Sequence, residues 1–205
     1  MNTPSTPRDA APHYTRTAIV LHWLVALLLL GQFIFGWLLD DIARNTPARG
    51  YWINLHKSCG VVIGLLIVLR LAWRLRHAPP PALPMAPWQR RAAKVSHVAL
   101  YACMLLMPLS GYLASNFSKH GITLFNAVKL APWGSDDKLL YAVFNQTHKV
   151  SAVVFAILIG VHLLAVVKHV LIDGDRLFAR MWRRAAVVAR PLPSPIPSSF
   201  ISEHS

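Results

Sequence analysis

The sequence predicts an all-α membrane protein, an up-down bundle of four transmembrane helices with both termini in the cytoplasm. Three observations lead there. Hydrophobic residues make up 55 % of the 205 and charged residues 14 %, where an average soluble domain carries about 25 % charge. Mean hydropathy is +0.43, so charge is too scarce to coat a water-facing surface or to keep a chain disordered. Four runs are apolar enough to cross a bilayer, which takes roughly 20 helical residues. Finally, fourteen of the 21 Lys and Arg lie in the N-terminal segment, the second connection and the C-terminal segment. An even number of spans puts those three regions on one side, and basic excess marks that side as cytoplasmic.

The first span, 18–39, carries no formal charge and runs into Asp40 and Asp41. It exceeds the ~7–15 apolar residues of a signal-peptide core and lacks a small-residue cleavage site, so it is read as a retained helix. The second, 55–73, has Lys57 and Arg70 near its ends. The third, 95–115, holds one ionisable group, His97. The fourth, 150–167, is bracketed by Lys149 and Lys168 and contains His162. Around the membrane domain of 16–184 lie an N-terminal tail, 1–15, and a proline-rich tail, 185–205. Pro79, Pro80, Pro81, Pro84 and Pro87 stiffen the second connection. Residues 120–133 mix apolar and polar side chains and read as an interfacial helix or a plain loop. Residues 177–184 read as a second interfacial segment anchored by Trp182. The net charge of +13 would suggest nucleic acid in a soluble protein; here it is topology, and no nucleic-acid partner is expected. Cys59 and Cys103 are too few for a disulfide framework or a zinc site.

Histidine in or at the end of a span is costly and marks function. Of the ten histidines, five lie there: His22, His56, His97, His148 and His162. His22 lies four residues inside the cytoplasmic end of the first span, and His162 five inside that of the fourth. A rise of about 1.5 Å per residue puts both about 6–8 Å deep. His56 and His148 match in the same way at the outer ends of spans two and four. His148 and His162 are 14 residues apart, which brings both side chains within roughly 40° of one helix face. Span four thus offers two imidazoles at two depths, with a partner from span one at the inner level and from span two at the outer. Paired imidazoles across a bundle suit the two axial positions of a haem iron. Gly31, Gly36, Gly60, Gly64, Gly111 and Gly160 offer room for the macrocycle. No C-x-x-C-H stretch exists, so the haem would be b-type, without thioether links. His97 has no partner left and is structural or in contact with quinone.

The residues that carry these features resemble the bacterial cytochrome b561 family over about 14–184. They are Tyr14-Thr15-Arg16, Leu21-His22-Trp23, His56-Lys57-Ser58-Cys59-Gly60, Arg70-Leu71, Ser96-His97, Met107-Pro108-Leu109-Ser110-Gly111-Tyr112, Thr147-His148-Lys149, His162 and Lys168-His169. The resemblance implies two haem b groups in a multi-pass protein of the bacterial inner membrane, the inner iron on His22 and His162, the outer on His56 and His148. It also implies electron transfer between a periplasmic one-electron donor, plausibly superoxide, and ubiquinone.

Under that reading the outer connections, with seven basic residues against four acidic, would attract an anion. Lys57 and Lys149 each directly follow an outer ligand and are candidates for steering it. Arg16, Arg70, Lys168 and His169 are candidates for holding haem propionates on the inner side, and Gly60 and Gly111 for packing against the macrocycle. The expected partners are lipid, quinone, and superoxide or a periplasmic electron-transfer protein. Two alternatives remain open. One is a quinone-side cytochrome b subunit of a larger dehydrogenase, since no flavin or dinucleotide fingerprint exists here. The other is a histidine-relay transporter of protons or metal, which usually buries carboxylates too; none of the eight acids lies within a span.

Overall fold

The computed structural model describes residues 14–81, 84–174 and 181. Four long helices dominate: α1 (Arg16–Leu38), α2 (Pro47–Arg76), α3 (Pro87–Asn116) and α4 (Lys138–Leu171). All four are long and apolar enough to span a membrane. The expected four-helix bundle is therefore present. The segments expected at 177–184 and 185–205 lie outside the described residues, apart from Met181, whose carbonyl accepts from Trp23 Nε1 at 2.8 Å.

Helices α2, α3 and α4 overrun their apolar runs at both ends, and α1 does so at its start. At 34 residues, α4 is about 51 Å long, well beyond a hydrocarbon core of about 30 Å. Hydropathy sees only the lipid-immersed stretch, whereas capping sets the ends. Thr15 caps α1 by accepting from Ala18 N. Thr46 caps α2 by accepting from Arg49 N, with Pro47 in the first turn. Asp137 caps α4 by accepting from the Leu139 and Leu140 amides. In α3, Pro87 opens the helix and the Gln89 side chain accepts from Ala86 N.

Packing is most extensive between α3 and α4, then between α1 and α2 and between α2 and α3. Side chains link α1 to α4, with Phe33 against Phe155 at 5.7 Å between ring centres. The buried core takes residues from every helix: Val25 and Leu29, Ile63 and Ile67, Cys103, Met104 and Met107, and Phe155. On α4, Phe155 stands midway between His148 and His162. Leu27, Leu65, Val153 and Leu164 point outward. Helices apolar all round belong in lipid.

Residues 120–133 form neither the interfacial helix nor the plain loop expected of them. They contain a β-hairpin, β1 (Ile122–Leu124) paired antiparallel with β2 (Val128–Leu130). The turn runs through Phe125 and Asn126 at φ of 48° and 57°, closed by Ala127 N donating to Leu124 O at 2.9 Å. Two positive φ values make this the turn that matches strand twist. Asn tolerates that backbone readily, whereas a bulky residue such as Phe does so at a cost. Docking onto α2 offsets it. Phe125 N donates to Ser58 Oγ at 2.7 Å, Thr123 N to Asn54 Oδ1 at 3.3 Å, and Lys57 Nζ to Gly121 O at 2.9 Å. Gly121 is required at the hairpin root: its φ is +58°, and a Cβ there would stand 2.9 Å from Leu130 O.

Candidate functional site

At the hairpin end of the bundle, α2 presents His56 and α4 presents His148. Their ring centres are 6.3 Å apart and their planes cross at 89°. Two imidazoles sharing a metal stand with centres about 6 Å apart, given metal–nitrogen bonds of about 2 Å and ring atoms about 1.1 Å from their centre. The spacing therefore fits a shared iron. The tautomer of His148 fits as well. Its Nδ1 lies 2.7 Å from Met107 O. A carbonyl only accepts, so Nδ1 carries the proton and Nε2 keeps its lone pair for a metal.

Glycine makes both ring positions possible. A Cβ on Gly111 would stand 2.9 Å from His148 Nδ1 and 3.1 Å from Cε1, and one on Gly36 would stand 3.2 Å from His56 Cε1. Gly60 is different: its Cβ would meet only Gln32 Nε2, at an ordinary 3.5 Å. The backbone around His56 is tied on several sides. Gln32 Nε2 donates to His56 O at 2.7 Å, while Asn54, Lys57 and Ser58 hold the hairpin. Ser58 is fully buried and also donates to Asn54 O at 2.6 Å. Sequence reasoning missed Gln32 and Ser58. Gln32 was the findable one, a lone amide within the uncharged first span.

At the opposite end, the ring neighbour of His162 is His97. His97 and His162 have ring centres 5.9 Å apart, and His22 is within electrostatic reach of both. His97 thus has a neighbour the sequence did not give it. Arg70 joins from α2, with NH2 2.8 Å from His22 Nδ1 and its guanidinium 5.6 Å from the centre of the Tyr101 ring. Arginine can only donate, so His22 accepts at Nδ1 and carries its proton on Nε2. For His22 to give Nε2 to a metal, that proton must move to Nδ1 and Arg70 must turn away.

The other expected site residues are placed as follows. Arg16 opens α1 and is exposed. Lys168 Nζ donates to both carboxylate oxygens of Asp173, at 2.9 and 2.7 Å, and His169 Nδ1 lies 3.0 Å from Asp173 Oδ2. Lys149 is exposed, while Lys57 is engaged with the hairpin root. Among the described residues no three His, Cys, Asp or Glu side chains gather as a metal site. A haem iron asks for only two protein ligands. A groove of about 630 Å³ on the α3–α4 flank is lined by Cys103, Leu106, Val143, Thr147 and Val154 among others, none of them histidine.

Comparison with known proteins agrees with this chemistry. A family model described as prokaryotic cytochrome b561 matches residues 13–184. Cytochrome b561 homolog 2 of Escherichia coli is 29 % identical over 175 residues, covering 82 % of this chain and 90 % of that one. A probable superoxide oxidase of Yersinia pestis is 28 % identical over 177 residues, covering 82 % and 94 %. Cytochrome b562 of Cereibacter sphaeroides is 28 % identical over 176 residues, covering 84 % and 96 %.

Proposed function

The chain belongs to the prokaryotic cytochrome b561 family, multi-pass haem proteins of the bacterial inner membrane, and from that membership we propose that it carries two haem b groups. In this reading they connect a one-electron donor on the hairpin side with membrane quinone on the other. His56 and His148 hold one iron, and His22 and His162 the other. Both termini face the cytoplasm in this reading, which the concentration of basic residues in the terminal segments and the second connection supports. Bound there, the two haems supply one-electron oxidation and reduction at two depths of the bilayer.

The residues of the chain do the rest. Met107 O fixes the tautomer of His148. The hairpin, sewn to α2 at Asn54, Lys57 and Ser58, steadies the turn that carries His56. Lys57 keeps a positive charge at the hairpin root, and Lys149 and Lys129 add exposed ones. That charge favours an anionic donor, and superoxide is the donor we propose, in keeping with the probable superoxide oxidase among the relatives. At the other end Arg70 would hold a haem propionate once it has left His22. Lys168 and His169 already hold the carboxylate of Asp173, so they reach a propionate only by releasing it.

The observation that carries the reading is the 6.3 Å approach of His56 to His148 with the metal-binding nitrogen of His148 left free. A dithionite-reduced minus oxidised spectrum with a haem count per chain tests it. Two b-type haems are expected, and a colourless, iron-free protein from haem-replete cells refutes it. The donor is tested by mixing protein, a superoxide source and a soluble quinone. Quinol formation that His56→Ala abolishes supports superoxide. Inactivity of the lone protein, with a dehydrogenase co-purifying in equal amounts, favours a subunit role instead.

A further inference from the structure

We propose that the β-hairpin is a membrane-surface element, its apolar face lying in the boundary between phospholipid headgroups and acyl chains and its other face turned to water. This reading stands on the spans and the hairpin alone and is independent of haem. Side chains alternate between the two faces of a strand, and directly paired residues share a face. Ile122 pairs with Leu130 and Leu124 with Val128, which puts four aliphatic side chains on one face. Thr123 and Lys129, paired with each other, stand on the opposite one. The bundle covers only part of the apolar face. Ile122 is 3 % exposed, whereas Val128 is 58 % and Leu130 39 % exposed. The face that Ile122 turns into the protein therefore continues past its edge, uncovered along β2.

The height of the hairpin decides what covers the remainder. Its bonds to α2 are at Asn54, Lys57 and Ser58, and the apolar run of α2 begins at residue 55. The 19 residues from 55 to 73 rise about 28 Å, which matches a hydrocarbon core of about 30 Å. The hairpin thus sits at one edge of that core, where a side chain leaving the protein meets lipid on the bundle side and water on the other. Its neighbours are of the kind that gathers at such an edge. Tyr51, whose carbonyl accepts from Asn126 Nδ2 at 3.2 Å, Trp52 and Trp133 all have exposed rings. Phe125 agrees. A turn in water favours Asn or Gly at a positive φ, yet this one holds an exposed phenyl ring at a φ of 48°. Apolar surroundings stabilise such a ring and oppose the strain of its backbone.

The test uses the full chain in nanodiscs of phosphatidylcholine and phosphatidylglycerol. Wild type is photolabelled from a phosphatidylcholine that carries a diazirine near the top of one acyl chain, and the adducts are mapped by mass spectrometry. Val150 and Val153, exposed on α4 near the level of His148, are the positive control. Adducts on the hairpin as well as on α4 are expected, and adducts on α4 alone overturn the proposal. Val128→Cys, Leu130→Cys and Lys129→Cys are then spin-labelled in turn, with wild type, which holds only Cys59 and Cys103, as the blank. Oxygen concentrates in the bilayer and a nickel chelate in water, so the ratio of oxygen to nickel relaxation should be several-fold higher at 128 and 130 than at 129. A ratio no higher at 128 and 130 than at 129 puts the apolar face in water. Poor access of both reagents at 128 and 130 puts protein over it, whether a second copy or another segment of the chain. Either result overturns the proposal.

Discussion

Replacing Gly111 with alanine adds one methyl group against the His148 ring. The new Cβ would stand 2.9 Å from Nδ1, 3.1 Å from Cε1 and 3.6 Å from Cγ of that ring. A ring pushed off by that overlap leaves Met107 O. Overpacking of this kind costs about 1–3 kcal/mol, and loss of the hydrogen bond about 1 kcal/mol more. Loss of an outer partner of a metal ligand typically weakens metal binding about 10- to 100-fold. Gly111→Ala should therefore lose most of one haem and keep the other. Gly160→Ala is the control: it lies near His162, yet a Cβ there meets nothing within 4 Å, and both haems should stay. The assay is haem per chain by pyridine haemochrome, with the reduced-minus-oxidised spectrum of each variant. Two full haems and an unchanged spectrum in Gly111→Ala would refute the placement of His148 as a ligand wedged between Gly111 and an iron.

Three further outcomes follow from the same geometry. Ser58→Ala frees the amide of Phe125 and should cost about 1 kcal/mol, read as faster hydrogen exchange at the hairpin turn while α3 and α4 keep their protection. His22→Ala and His162→Ala should delete the same spectral component, and His97→Ala should shift that component without deleting it; deletion by His97→Ala but not by His22→Ala would reassign the ligand. The Lys168 hydrogen bond holds the Asp173 carboxyl below its ordinary value of 3.8. Its folded value being the lower one, the stabilisation is complete above pH 3.8 and disappears as pH falls through the depressed value. A carbonyl NMR titration should show Asp173 still mostly ionised at pH 3.8, and Lys168→Met should raise its midpoint toward the ordinary value, with His169 still holding it down.

The sequence carried the membrane bundle because a bilayer imposes length and composition, and both can be counted. It carried the approach of His56 to His148 because depth along a helix is also a count, while the pairing of His22 with His162 stays part of the proposal. What it could not carry was anything supplied by backbone. Met107 reads as an apolar core residue, and only the fold turns its carbonyl into the partner of His148. The hairpin escaped notice because its strands are three residues each and its turn sets Phe125, a poor turn former, in a left-handed conformation. Short, weakly patterned strands become stable only once Asn54 and Ser58 receive them. The neighbours of His97 and His22 were hidden for another reason: spacing along one chain does not say which helices turn their faces together. The helix ends went unread, because hydropathy stops short of the capping signals at Thr46-Pro47 before α2 and Asp137 before α4.

The hydrocarbon layer formed by Val25, Leu29, Ile63, Ile67, Met104 and Phe155 separates the two histidine levels, and its effect differs by particle. Methyl, thioether and phenyl groups offer a proton no station to hop between, and a hydrated ion would shed its water there at a cost of several kcal/mol or more. An electron needs no such stations, because it tunnels. With the two proposed haems in place, the layer would act as an insulator around a conductor, and charge could move through the protein without short-circuiting the gradient its membrane maintains.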